Sequence, residues 1–382
     1  MTDVLDTTTT GQQPTTDVGH GDDARRDALV ERLFGSLLMG SELMTIELGR
    51  RLGLYRSIFA AGSVNSAELA VGAGIAERYA REWLEQQAAA GFLDVTQETG
   101  DADTRRFTLP AGHVPVLLRP DHPAYVMGFA PFITGFGLTL PAVAQAYRTG
   151  SGVAFERFGD EVRHGIGIGN RPMFASSLRA WLDTLPDITA RLRGGGAVLD
   201  AGCGTGWSTV TLAKIFDRAR ISGIDLDPKS VAEARVAAEQ EGVADRVQIA
   251  EGNAADATDL PVAAGGYDLV TIFEALHDMG DPVSALRAVR TVLAPGGAVL
   301  VADERVGDVF TAPAGEVDRL MYACSVLHCL PATMAESQTT ANGTVLRAST
   351  VRAWAATAGF STRELPIEHD LWRFYRLDPA AP

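Results

Sequence analysis

Apolar positions change their spacing along this chain, and the changes mark out its architecture. Between residues 25 and 60 they recur at helical intervals, with Leu29, Leu33, Leu37 and Leu38 followed by Leu43, Ile46, Leu48, Leu52 and Leu54. Ser66-Ala-Glu-Leu-Ala70 opens on a helix-capping residue type and predicts a short helix, broken at Gly72–Gly74. Glu77 to Ala90 predicts a further helix, stopped by Gly91. Phe92–Val95 and Arg106–Leu109, with a Gly/Asp-rich turn between them, predict a β-hairpin. Helices followed by a hairpin make the order of a winged helix.

A helical stretch covers 121–193, and the pattern switches at Gly194-Gly-Gly196. Beyond it, short apolar runs at Ala197–Leu199, Ile221–Ile224, Val247–Ala250, Leu269–Phe273 and Ala298–Ala302 alternate with helical segments, clearest at Ser208–Phe216, Pro228–Glu241 and Pro282–Leu293. That alternation predicts an α/β, Rossmann-like domain, a mostly parallel sheet with helices on both faces, behind a mainly helical winged-helix-like domain. The expected division is a disordered tail over 1–23, a winged-helix-like dimerisation domain over 24–120, a helical pocket segment over 121–193 and the Rossmann-like domain over 194–382. Pro123 to Tyr147 has no charged residue, the length of a membrane span. Pro131, Pro141 and three glycines interrupt it, which predicts two short buried helices over an apolar pocket and no membrane.

Charge narrows the partners. The chain has 382 residues and a net charge of −15, with Lys214 and Lys229 as its only lysines. Such a surface repels phosphate backbones and anionic lipid, so nucleic acid and membranes are unfavoured partners. The helix at Glu77–Ala90 carries Arg78 and Arg81 beside Glu77, Glu82 and Glu85, so dimerisation outweighs DNA binding as the role of the winged helix. Cys203, Cys324 and Cys329 form no C-x-x-C pair and fit a reducing cytoplasm.

The chemistry concentrates in Val198-Leu-Asp-Ala-Gly-Cys-Gly-Thr-Gly-Trp207, a strand running through Gly202, Gly204 and Gly206 into a helix. Glycines permit positive φ and a close ligand approach. A loop of this kind also suits a dinucleotide pyrophosphate. Two details favour S-adenosylmethionine: the third glycine comes one residue earlier than in G-x-G-x-x-G, and Asp200 stands two residues before the first. A carboxylate there attracts an ammonium and repels a pyrophosphate. Asp225 ends the next strand, nineteen residues after Gly206, where an acid accepts ribose hydroxyl protons, with Leu226 beside it. Asp227 is expected to cap the helix that begins at Pro228. Asn253, before Ala254, either meets an adenine edge or satisfies its own backbone in a turn. Phe273, at the end of the fourth strand, completes the expected cofactor set.

These residues, with Tyr267-Asp-Leu-Val270 and Leu293-x-Pro-Gly-Gly297, stand in the order and spacing of class I S-adenosylmethionine-dependent methyltransferases, which the chain resembles over 195–305. Asn253 departs from the Asp more usual there. Gly53-Leu-Tyr55, Glu68-Leu-Ala70 and Glu82-Trp-Leu84 resemble the dimerisation domain of small-molecule O-methyltransferases. The resemblance implies a homodimer that methylates a small, apolar or aromatic molecule, most readily at oxygen, and releases S-adenosylhomocysteine. It further implies His277 of Phe273-Glu-Ala-Leu-His-Asp278 as general base and Asp303, next to Glu304, as the acid that orients it. A second acid of plant-type enzymes is missing, because Val345 takes its place before Ala358-Gly-Phe360. His277 is therefore either the base or a pocket-lining residue. A non-methylating use of the same cofactor and a ligand-sensing winged-helix regulator stand as alternatives. The acceptor pocket is expected from Phe129, Phe132, Phe136, Met173, Phe174 and Trp181. His328 and Cys329 either line it or pack in the core, their side chains diverging as helical neighbours do, and no metal set is apparent.

Overall fold

The computed structural model describes residues 20–97, 101–337 and 339–381. The chain divides into two compact units, one ending at Leu43 and the other running from Met44. Of the tail expected over 1–23, residues 1–19 lie outside the described residues. His20–Asp23 is instead the first turn of helix α1 (His20–Arg51), where Asp22 and Asp23 suit the positive helix end and Arg50 and Arg51 the negative one.

After α1 come α2 (Leu54–Ala61), α3 (Ser66–Ala73) and α4 (Glu77–Ala89), then the antiparallel hairpin of β1 (Asp94–Gln97) and β2 (Arg106–Thr108). The cap of α3 is Asn65, one residue before the expected serine. Its side chain accepts from Glu68 N–H while Glu68 returns a bond to the Asn65 N–H. Leu54, Tyr55, Ile58, Leu69, Trp83, Leu84 and Phe107 make the core of this winged helix, with Tyr55 and Trp83 edge to face at 5.1 Å.

Short helix α5 (Val114–Leu118) leads to α6 (Phe129–Thr149), α7 (Gly159–Asp183) and α8 (Pro186–Arg193). The apolar stretch is therefore one helix, not two. Pro141 removes the donor that the Gly137 carbonyl would use, but both residues face solvent, so water can replace it. By length and composition α6 could cross a membrane. Its buried residues, among them Gly135, Thr139 and Val143, lie on a face that packs on α7, where a Cβ at Gly135 would stand 2.5 Å from Val162.

The remaining chain alternates β3 (Ala197–Ala201), α9 (Trp207–Ile215), β4 (Arg220–Asp225), α10 (Pro228–Gln240), β5 (Val247–Glu251), β6 (Tyr267–Phe273), α11 (Pro282–Val292) and β7 (Leu293–Glu304). It then runs through α12 (Glu316–Cys324), a π turn (Ser325–Cys329), α13 (Leu330–Glu336), α14 (Ala348–Thr357), β8 (Phe360–Glu364) and β9 (Trp372–Pro379). The sheet order is β5-β4-β3-β6-β7-β9-β8, parallel from β5 to β7, with β9 and β8 added antiparallel. The order reverses between β3 and β6, and the crevice at that switch point is where ligands of open α/β sheets bind.

Successive strand residues point to opposite faces, so each strand feeds two cores. Val198, Leu269 and Leu300 face one, and Leu199, Val270 and Val301 the other. The first core closes on an aromatic cluster in which Trp181 meets Phe374 at 4.9 Å, Trp372 at 5.6 Å, and Phe174 and Phe273 at 6.4 Å. Met173 packs against the same cluster. Phe174 and Trp181 are thus core residues and not walls of an open pocket. Long-range burial by β9 decides this, which α7 periodicity could not show. Trp181→Ala is expected to lower stability by about 3–5 kcal/mol, whereas Phe129→Ala, at a residue 51% exposed, is expected to change it by less than about 1 kcal/mol. Urea unfolding followed by circular dichroism measures both.

Candidate active site

The glycine loop is built from its own hydrogen bonds. Gly202 and Cys203 N–H donate to the Ile224 carbonyl at 2.8 and 3.1 Å, Gly206 N–H to Cys203 O at 2.9 Å, and Gly204 N–H to Asp225 Oδ2 at 2.8 Å. Gly202, Gly204 and Gly206 have φ of 76°, 51° and 83°, the left-handed region that side chains avoid. A Cβ on Gly206 would stand 2.7 Å from Ala234 Cβ, so α9 and α10 approach only because it is glycine. With these N–H groups spent, the loop offers little to a pyrophosphate.

Asp200 ends β3 fully buried. Its Oδ2 accepts from the Ser208 and Thr209 hydroxyls, each at 2.6 Å, and its Oδ1 from Thr271 at 2.7 Å. Burial pushes the carboxyl up, and the three hydroxyls work against that rise. The residue expected to meet an ammonium therefore ties β3, α9 and β6 together from behind the loop.

A cavity of about 650 Å³ opens at the carboxyl ends of β4, β5 and β6. The structure brings Gly202, Gly204, Asp225, Leu226, Asn253 and Ala254 onto its wall. Asp200, Gly206, Phe273, His277 and Asp303 are not on it, nor are Phe129, Phe132, Met173, Phe174, Trp181, His328 and Cys329. The wall's charged side chains are all carboxylates, including Asp225, Asp227, Glu274, Asp278 and Glu336, and among the described residues no Lys, Arg or His lines it. Its field is negative.

Asp225 accepts one backbone N–H on each oxygen, from Gly204 and from Asp227 at 2.9 Å, which leaves a lone pair on each. Burial raises its carboxyl to about 6 against the pull of those two N–H groups. Asp227 caps α10 through the Ser230 N–H at 3.0 Å, as its position before Pro228 implied. Asn253 Oδ1 accepts from Ala255 N–H at 2.9 Å, so its carbonyl serves a turn, and one lone pair and the amide donors remain for a ligand.

Just past β6, His277 Nδ1 meets Asp303 Oδ1 at 2.9 Å, and both residues are buried. Nε2 lies 3.3 Å from Asp278 Oδ1. Burial disfavours the imidazolium, yet Asp278 and Asp303 outweigh it and hold the ring well above the usual histidine range.

Three features escaped sequence reasoning: Glu274, its proximity to Glu304, and the contact between His328 and Cys329. Glu274, the one non-glycine with positive φ among the described residues (49°), lines the cavity and takes the Asn170 amide on Oε2. Burial raises it, and burial together with the Glu274 charge carries Glu304 well above the carboxylate range. Glu274 sits at a strand end in a quoted motif, a signal that was legible. The third is the His328–Cys329 pair, whose Nδ1 and Sγ lie 3.3 Å apart although helical neighbours normally diverge. The π turn is wider than an α turn and brings them together. His328 itself packs among Phe136, Phe155 and Phe158, its ring held below the usual histidine range by burial. Phe132 packs beside Phe136.

This fold and this crevice define a class I methyltransferase architecture behind a winged-helix domain. Residues 192–361 match the family model described as "Methyltransferase domain", and residues 40–119 match that of the "Rv2258c-like winged HTH domain". The ubiquinone biosynthesis O-methyltransferase of Xanthomonas axonopodis pv. citri is 39% identical over 113 residues, 29% of this chain and 44% of the relative. The 27-O-demethylrifamycin SV methyltransferase of Amycolatopsis mediterranei is 29% identical over 161 residues, 42% and 57% respectively. The matched stretches thus span about half of these relatives. The solved structure of the mitomycin 7-O-methyltransferase MmcR is similar across 94% of this chain and 100% of its own, with a TM-score of 0.64 and 22% identity. NcsB1, an O-methyltransferase from neocarzinostatin biosynthesis, aligns with a TM-score of 0.55 at 21% identity, over 89% of this chain and 96% of its own.

Asp200→Ala is expected to cost about 3 kcal/mol or more, since it strands three buried hydroxyls. Chemical denaturation checks the figure, and a loss below about 1 kcal/mol would refute this role for the carboxylate.

Proposed function

We propose that the chain is an S-adenosylmethionine-dependent methyltransferase acting on a small, apolar or aromatic molecule at oxygen. One observation carries the reading: a cavity whose charged side chains are all carboxylates, beside a glycine loop in which the Gly202, Cys203, Gly204 and Gly206 N–H groups already have protein acceptors. That site suits a sulfonium and an ammonium and repels a dinucleotide. Its volume lies within the roughly 300–1,000 Å³ of small-molecule pockets, and the glycine at 204 has nothing within 4 Å of where a Cβ would stand.

Asp225 would accept the ribose hydroxyls on its two free lone pairs, with Leu226, Asn253 and Ala254 around the nucleoside. The cofactor supplies an electrophilic methyl group on a positively charged sulfur. The protein holds the acceptor in line, excludes water and removes a proton. In its neutral form, which requires a pH above its raised titration range, His277 would accept the proton on Nε2, and Asp303 fixes the ring by its Nδ1. Asp278 lines the cavity, its Oδ1 3.3 Å from Nε2. The names of the relatives, several of them O-methyltransferases of small molecules, support the choice of oxygen.

The winged helix serves a homodimer in this reading. Leu29, Leu33, Phe34, Leu37 and Met39 are each more than half exposed on α1, a surface that a second copy would cover. On α4, Arg78 pairs with Glu82, and Arg81 with Glu77 and Asp103, which leaves little charge for nucleic acid. Three free thiols suit the cytoplasm.

Calorimetry should show S-adenosylmethionine binding that Asp225→Ala abolishes, with no binding of nicotinamide dinucleotide; the opposite preference would overturn the assignment. Only the ionised Asp225 can accept both hydroxyl protons. Affinity should therefore fall as pH drops through about 6, and a flat profile between pH 5 and 8 would remove Asp225 from the ribose site. Against a panel of phenols and hydroxylated acceptors, release of S-adenosylhomocysteine should accompany a methylated product by mass spectrometry. His277→Gln should lower kcat by about 10²–10⁴-fold and leave cofactor affinity unchanged.

A further inference from the structure

Behind Asp278, a buried cluster stands that proton removal alone does not require. His277 Nε2, Asp278 Oδ1 and Cys329 Sγ all lie within 4.8 Å of one another, and the first two are 3.3 Å apart. The Asp278 Oδ1 atom is buried without a hydrogen-bond partner. In a tetrahedral zinc site, bonds of about 2.0 Å to nitrogen and oxygen and about 2.3 Å to sulfur put the donors roughly 3.3–3.8 Å apart. Small side-chain adjustments separate the observed cluster from that geometry.

Its surroundings also have the form of a metal site. The 2.9 Å contact between Asp303 and His277 Nδ1 aims Nε2 outward and raises its basicity, the usual support of a ligating imidazole. Cys329, fifty-two residues beyond His277, reaches it at the end of the π turn, a feature frequent at functional sites. His328 Nδ1 lies 3.3 Å from the same sulfur, and the Nε2 of this buried ring has no partner.

We propose that His277, Asp278 and Cys329 bind a thiophilic divalent cation of the zinc class. Nitrogen, carboxylate and thiolate donors together favour zinc and disfavour magnesium or calcium. On binding, Cys329 gives its thiol proton and His277 its Nε2 proton to solvent, and the freed sulfur and nitrogen electron pairs form bonds to the cation, with no change of oxidation state. The cation takes the Nε2 lone pair and adds positive charge to a wall that faces the cofactor, so it inhibits the enzyme. That consequence rests on the methyltransferase reading; the binding itself does not.

The test uses the full chain, stripped with a chelator and titrated with Co²⁺ as a spectroscopic stand-in. One equivalent should bind and produce a near-ultraviolet cobalt–thiolate charge-transfer band that Zn²⁺ then displaces. Cys329→Ser should lose the band and weaken Zn²⁺ binding by at least about tenfold, while Cys324→Ser keeps both. If Cys329→Ser does not fold, Asp278→Asn takes its place and should weaken binding but retain the band. Absence of a thiolate band, its survival in Cys329→Ser, or unchanged Zn²⁺ affinity in Asp278→Asn overturns the proposal. With metal bound, S-adenosylhomocysteine release should fall at least about tenfold and return on chelation. Unimpaired turnover of the metal-bound protein overturns the inhibition. A protein that binds metal but never turns over counts against the methyltransferase reading alone.

Discussion

Asp225 is the hinge of the site because its carboxylate is shared between two backbones. One oxygen takes the Gly204 N–H from the first strand's loop, the other the Asp227 N–H at the end of its own strand. The first bond uses the N–H of the central glycine, which an anion in the loop would otherwise take. The second sets the chain for the α10 cap. What the crevice then presents is carboxylate, so its ligand must bring positive charge. Cofactor class follows from that sign more than from the glycine count.

Around this centre the protein buries several charged or polar groups, each with an identifiable reason. Asp200 is hydrogen-bonded by three hydroxyls from two elements. Glu274 and Glu304 lie at the ends of β6 and β7, where burial raises both carboxyls and the Glu274 charge raises Glu304 further. His277 sits between Asp278 and Asp303 and keeps its proton more tightly than a free imidazole. These groups occupy the sheet's switch edge, and an unpaired buried charge there would cost several kcal/mol, on the order of the cost of breaking a buried pair. Glu274 adds backbone strain at the same edge, where strain commonly accompanies function.

Much of the fold was legible because its signals are local. Strand and helix alternation follows from periodicities of about two and about 3.6 residues, and five parallel strands stand within a few residues of their expected spans. Caps are legible for the same reason: Asp227 before Pro228 needs only the next turn of chain. The apolar pocket was not legible. Phe174, Trp181 and Phe273 have the composition of a ligand wall, but they pack on Trp372 and Phe374 of β9. Nothing in α7 encodes the arrival of a strand nearly two hundred residues later.

By itself the sequence determined the α/β alternation, the glycine loop, the acid at the second strand end and the His277–Asp303 candidates, because each depends on neighbours within a turn or on a strand-end position. Tertiary structure alone decided which carboxylates face the cavity, that Asp200 turns inward, and that Cys329 comes beside His277. Those outcomes depend on which distant segments share a face, and burial energy selects that over the whole chain. Residue types carry the chemistry; the packing of sheet edge, π turn and α7 decides which of them meet.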